Sequence, residues 1–227
     1  MEDLELLNSH NHAGLRMGAT LPGAVPLVRI ILEEIVAAAA SCPLFFSKHA
    51  ETGAFYLAAL MGFKAGELLV DAPGGHCPFR PLEIEREGFF ASGDNVAIAK
   101  SHPRFLADDG DHLFDADGQP SVALRRSQVA LGRLMAGNEP TNAFIAAMLS
   151  NRLLEPVDIN LRFDDGEKLR LDGLYTVSLD TLGELDDAAA LTLFRSGQLQ
   201  LAYIVAASLQ QVGLFARRHN ERLSRDS

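Results

Sequence analysis

The chain has 227 residues, 48% of them hydrophobic, and its 30 acidic and 20 basic side chains leave a formal net charge of −10. That length and apolar content suffice for a substantial core, while the acidic balance disfavours nucleic-acid phosphates and anionic membranes alike. Its two cysteines, Cys42 and Cys77, lie outside any Cys-x-x-Cys pair, which speaks against a disulfide scaffold or a thiolate zinc site. Reduced thiols are the expectation, with one Cys42–Cys77 bridge as the alternative.

Residues 1–26 are broken by Gly14, Gly18, Pro22, Gly23 and Pro26 and read as irregular. The acidic start lacks the basic and apolar parts of a secretion signal, so a cytoplasmic location is expected. Apolar positions Leu27, Ile30, Ile31, Ile35 and Ala38 predict a helix over 27–40. Leu44-Phe45-Phe46 and Phe55-Tyr56-Leu57 flank Glu51-Thr52-Gly53 and predict a hairpin. Short strands are expected at 67–70, 82–84 and 95–99, with a Gly/Pro-rich loop over 72–81. An acidic loop, 107–118, precedes a helix over 121–135 that ends near Gly137. Thr141, after Pro140, is expected to cap a second helix running to about Leu154 and stopped by Pro156. Strands 157–163 and 168–174 flank Asp164-Asp165-Gly166, a strong hairpin signal.

Asp180 reads as a helix cap, and Asp186-Asp187 open a further helix toward Phe194. The last helix, Leu199 to about Arg218, is apolar almost all round and is expected to be buried, as the centre of the domain or as a subunit interface. Arg217-Arg218-His219 reads as its solvated, macrodipole-favoured end. Gln200, Gln210 and Gln211 interrupt its apolar run, so no membrane-spanning helix is expected. The fold class is α+β: a β-rich N-terminal half with hairpins and a helical C-terminal half containing one antiparallel hairpin. Helices are expected on one face of a curved sheet, in a single domain over 1–227.

Candidate chemistry is sparse. His10 and His12 form a His-x-His pair whose rings project to one side of an extended segment and could share iron or zinc, although no neighbouring spacing supplies a third ligand. His76-Cys77 offers an imidazole beside a thiol, but adjacent residues seldom face each other. Asp108, Asp109, Asp111, Asp115 and Asp117 could bind calcium, yet their spacing is not that of an EF-hand, and Asp-x-Asp-Gly is commonly a turn. Neither a nucleophile elbow nor a phosphate-binding glycine loop is present in the sequence.

Four segments carry a family resemblance. They are Leu7 to Arg16; Cys42 to Phe63 with Gly66-Glu67-Leu68-Leu69-Val70; Leu113 to Pro120; and Leu153 to Val177 with Gly197-Gln198-Leu199. In this order and spacing the chain resembles the bacterial SapC-like family, which is distinct from the peptide-transport permease and from saposin C. It departs from the family pattern at Glu85 to Phe90, where a tyrosine-proline-phenylalanine-like stretch is expected, and at His49, where an acid is expected. The resemblance implies a soluble bacterial protein, encoded near outer-membrane receptors and oxygenase-like proteins, and it supplies no catalytic residue.

The functional expectation is a soluble, non-catalytic accessory or binding protein of a bacterial uptake or modification system, with no cofactor. A protein or peptide partner is expected, with a homodimer as a further option, and neither nucleic-acid binding nor membrane insertion. The alternative is a metal-dependent, oxygenase-like enzyme using iron or zinc on some of His10, His12, His49, His76, His102 and His112. A surface-layer component is the weaker third reading, suggested by the family name alone.

Overall fold

The computed structural model describes residues 4–19, 25–70, 79–106 and 110–226. In chain order its elements are β1 (Leu4–Leu6), β2 (Arg16–Met17), β3 (Leu27–Arg29), α1 (Ile35–Ala39), β4 (Leu44–Lys48), β5 (Phe55–Leu60), α2 (Leu82–Glu85), β6 (Phe89–Ser92), β7 (Asn95–Ala99) and β8 (Asp111–His112). There follow α3 (Val122–Ser150), β9 (Leu154–Arg162), β10 (Lys168–Val177), α4 (Leu179–Gly183), α5 (Asp187–Arg195), α6 (Gln198–Ser208) and α7 (Gln210–Asp226). The fold is α+β, and the strand pairs among the described residues are antiparallel. The chain forms two compact units, Met1–Leu21 with Leu82–Ala136, and Pro22–Pro81 with Gly137–Ser227.

In the first unit a three-stranded sheet has the order β1-β7-β6, and β2 pairs with β8. Its core joins Met17, Phe89, Ile98, Phe105, Leu113, Phe114, Leu124 and Leu131, with Phe89 and Phe105 meeting edge to face at 5.1 Å. Leu124 and Leu131 stand seven residues apart and define the inner face of α3. Ser127, between them, donates to the Glu85 carbonyl at 2.9 Å. The buried Arg104 guanidinium donates to the carbonyls of Glu85 and Glu87 at 2.9 and 3.0 Å. The end of α2 is thereby fixed against the inner face of α3.

In the second unit a five-stranded sheet has the order β3-β5-β4-β10-β9. Leu44, Phe45 and Phe46 are consecutive and all fully buried. Because successive strand side chains point to opposite faces, β4 is covered on both sides. Phe46 meets Phe144 of α3 at 6.0 Å, and α6 packs on α1, α5, β4 and β10. Gly137 lets α3 approach Ile31, because a Cβ there would lie 2.3 Å from the Ile31 Cδ1. One turn on, Thr141 accepts from the Leu32 N–H at 2.8 Å and donates to the Gly137 carbonyl at 2.6 Å.

Several elements differ from their sequence expectations. Residues 27–29 are the strand β3, since pairing with β5 satisfies their backbone. Helical structure starts at Leu32, where the Ile31 N–H finds the Glu34 carboxylate at 3.0 Å. Residues 82–84 lie in α2 rather than a strand, and 67–70 form no strand because two of their carbonyls serve α7.

The two helices expected around Pro140 are one, α3, which continues through the proline. Losing one amide donor does not break so long a ladder when both flanking turns are packed. α3 ends before Arg152, in the left-handed region at φ 55°, so Pro156 is not its stop. Pro156 sits instead in the edge strand β9, where a missing N–H is tolerated.

The last helix divides at Leu209 and runs on to Asp226. The stretch Gln198–Arg225 is long and apolar enough, by length and composition alone, to cross a membrane. Here Ala202, Val205 and Phe215 are buried in the second unit.

Candidate functional site

The expected histidine pair does not converge. His10 is exposed, whereas His12 is 2% exposed and turned into its own loop. The His12 Nε2 lies 3.2 Å from a Glu5 carboxylate oxygen, and its Nδ1 lies 3.2 Å from the Asn8 N–H. The Nδ1 also lies 3.1 Å from the Asn8 carbonyl oxygen, so both ring nitrogens are engaged by nearby residues and His10 is not among their partners. His49 stacks on Tyr56 at 4.5 Å, and the His102 Nδ1 caps the Arg104 N–H at 3.2 Å. Among the described residues no three His, Cys, Asp or Glu side chains converge as metal ligands would.

The Asp115 Oδ1 accepts from the N–H groups of Asp117 and Gln119, the self-bonded turn read from Asp-x-Asp-Gly. His112, Asp111 and Asp115 line a cleft of about 680 Å³ in the first unit, but they form no ligand cluster. Cys42 is buried and its thiol donates to the Ala38 carbonyl at 3.1 Å. His76, Cys77, Asp108 and Asp109 lie outside the described residues.

Two arrangements escaped the sequence reading. The first, in the second unit, is a buried acid–base pair, in which the His219 Nδ1 lies 2.5 Å from the Glu67 Oε1. The other Glu67 oxygen accepts from the Phe63 N–H at 2.8 Å. The segment reaches this shape through Gly62, where a Cβ would lie 2.2 Å from the Glu67 carbonyl oxygen. Arg218 and Arg222, on the same face of α7 as His219, donate to the carbonyls of Leu69 and Leu68. So Arg217-Arg218-His219 is not a solvated end, because His219 is 5% exposed. Phe163 and Phe63 cover the imidazole at 4.1 and 6.0 Å, and its Nε2 is buried without a hydrogen-bond partner. No reactant can reach that atom in this arrangement, so the cluster pins α7 to the 62–70 segment.

The second arrangement is an open groove of about 460 Å³ in the first unit, lined by Leu82, Glu85, Val122, Arg125, Arg126, Val129, Ala130 and Arg133. Leu124, Ser127 and Leu131 turn one side of α3 inward, which leaves Val122, Arg125, Arg126, Val129 and Arg133 on the outer side at helical spacing. Val122 and Val129 are 59% and 60% exposed. Arg125 and Arg126 are exposed and make no ion pair or side-chain hydrogen bond among the described residues. The groove is therefore apolar at two positions one heptad apart and positively charged between and beyond them, with the Glu85 carboxylate at its border. Its signal was present in the sequence: residues 121–138 contain three arginines and no acid, in a chain of net charge −10.

Among the sheet edges, β9 is poorly suited to a partner. β9 is a sheet edge, but Pro156 and Asp158 lie on it, and proline and charge both discourage strand addition.

The SapC family model matches residues 7–214, and the chain belongs to that family. No curated protein and no solved structure matches it.

Proposed function

We propose that this SapC-family chain is a binding protein without a reaction of its own, and that the α3 groove is where it holds its partner. The observation carrying this reading is the pairing of exposed Val122 and Val129 with the guanidiniums of Arg125 and Arg126, which engage no partner among the described residues. Such a surface suits an amphipathic helix with apolar side chains at a spacing of three or four and carboxylates beside them. Arginine forks carboxylates with geometric specificity, so the groove selects acidic segments over neutral ones. An accessory role in a bacterial uptake or modification system, implied by the family resemblance, is consistent with a surface that captures a protein segment.

The iron or zinc enzyme reading needs at least three converging ligands, and no observation among the described residues favours it. The test is fluorescence anisotropy with a labelled helical peptide carrying leucine or phenylalanine at i, i+4 and i+7 flanked by aspartates. Binding is expected to weaken with salt, to vanish for the charge-reversed peptide, and to be lost in the Arg125→Glu/Arg126→Glu variant. Equal binding of both peptides, or of neither, would remove the proposal.

A further inference from the structure

We infer that the segment seated in the α3 groove is helix α5 of a second copy of this chain, an inference that rests on the groove being a protein-binding surface. α5 has the matching chemistry on its outer face. Asp187, Leu191 and Phe194 recur at i, i+4 and i+7 and are all exposed, Leu191 by 46% and Phe194 by 70%. Together Leu191 and Phe194 leave an apolar patch exposed on α5.

Acidic side chains precede that face along the chain. Asp180, Glu184 and Asp187 are exposed and make no ion pair among the described residues, while Asp186 caps the helix by accepting from the Ala189 N–H at 2.8 Å. Arg195 is the one base on the helix, beyond Phe194. α5 is thus acidic and apolar where the groove is basic and apolar. Val122 and Val129 stand seven residues apart, about 10 Å along α3, whereas Leu191 and Phe194 stand three apart, about 4.5 Å along α5. Leu191 and Phe194 together therefore cover one valine, and Asp187, four residues before Leu191, faces Arg125 and Arg126, which stand three and four residues from either valine.

Groove and helix are different surfaces, one in each compact unit, so the contact is heterologous. A heterologous contact builds a ring or an open chain of copies rather than an isologous pair. It has a consequence that an isologous dimer lacks. A variant with a damaged groove keeps an intact α5, and a variant with a damaged α5 keeps an intact groove. Mixed together they re-form a single good contact and then stop.

The experiment is sedimentation equilibrium with native mass spectrometry on the full chain. It compares the parent, Arg125→Glu/Arg126→Glu, Leu191→Glu/Phe194→Glu, and an equimolar mixture of the two variants. All the substituted side chains are exposed, and circular dichroism checks that both variants fold. The parent is expected to associate with rising concentration, each variant alone to associate at least ~10-fold more weakly, and the mixture to form a pair that grows no further.

A parent that stays monomeric, a mixture no better than its components, or a dimer that survives both variants would overturn the inference. A monomeric parent that still binds the acidic amphipathic peptide removes only the second copy as occupant and leaves the groove reading standing. Failure to bind that peptide as well removes both.

Discussion

Two basic stretches of helix meet opposite fates in this protein. On α7, Arg218, His219 and Arg222 share one face and are all engaged, with the carbonyls of Leu69 and Leu68 and with the Glu67 carboxylate. On the outer face of α3, Arg125 and Arg126 make no ion pair or side-chain hydrogen bond among the described residues. The difference lies in what each helix is laid against. α7 lies on a segment, 62–70, that pairs with no strand, and its free carbonyls need donors. Arg125 and Arg126 lie beside valines and backbone already bonded within the helix, so among the described residues their charge meets no partner. A helical arginine is a pin where unpaired carbonyls face it, and a handle where apolar side chains do.

Substitutions can break this contrast, starting with the pin. Glu67→Ala strands the His219 Nδ1 and the Phe63 N–H in a buried place. The loss should be about 3 kcal/mol in urea unfolding, as for other buried pairs deprived of one partner. Arg125→Glu/Arg126→Glu, at exposed positions, should change stability by less than about 0.5 kcal/mol. A Glu67→Ala loss no larger than that of the α3 variant would erase the distinction.

Within α3 itself two glycines separate its packed and open parts. Gly137→Ala drives a methyl into Ile31 and should destabilise by about 1–3 kcal/mol. Gly132→Ala meets open space and should stabilise by up to about 1 kcal/mol. Thermal melts that shift in the same direction for both would contradict the packing assigned to Gly137.

The handle should show itself in binding rather than in folding. Arg125→Glu/Arg126→Glu is expected to weaken capture of the acidic amphipathic peptide by roughly tenfold or more, measured by anisotropy at low salt. Undiminished capture would place the binding surface elsewhere.

The smallest effect belongs to Lys64, an exposed residue. Its pKa is raised above the usual 10.5 by the hydrogen bond to Glu167 and by the charges of Glu167, Asp165 and Glu67, against a small opposing desolvation. A raised lysine pKa contributes stability that is complete below the unfolded value and is lost as pH rises through the folded value. The small difference between Lys64→Met and the parent should therefore be constant around neutral pH and disappear only in strong alkali. A midpoint difference in urea that changes between about pH 6 and pH 9 would contradict this.

Much of the fold could be read in advance, for local reasons. The 44–60 and 154–177 hairpins follow from alternating side chains and Gly-containing turns, and both stand in the structure. The caps at Asp186 and the turn at Asp115 need only their own neighbours. Where expectation and structure part, a distant segment decided. Residues 27–29 carry a helical spacing yet form a strand because β5 pairs with them, and Pro140 fails to end α3 because its flanking turns are packed. The groove was half legible: its charge pattern stood in the sequence, but not which arginines would remain unengaged.

The sequence by itself determined the α+β class, the hairpin positions and the membership that residues 7–214 show, because these rest on local spacing and on patterns that survive as strings. The tertiary structure alone decided which charged side chains are pins and which are handles. Arg218 meets the Leu69 carbonyl across 149 residues of chain, and no local pattern encodes whether a side chain will find its partner at that separation.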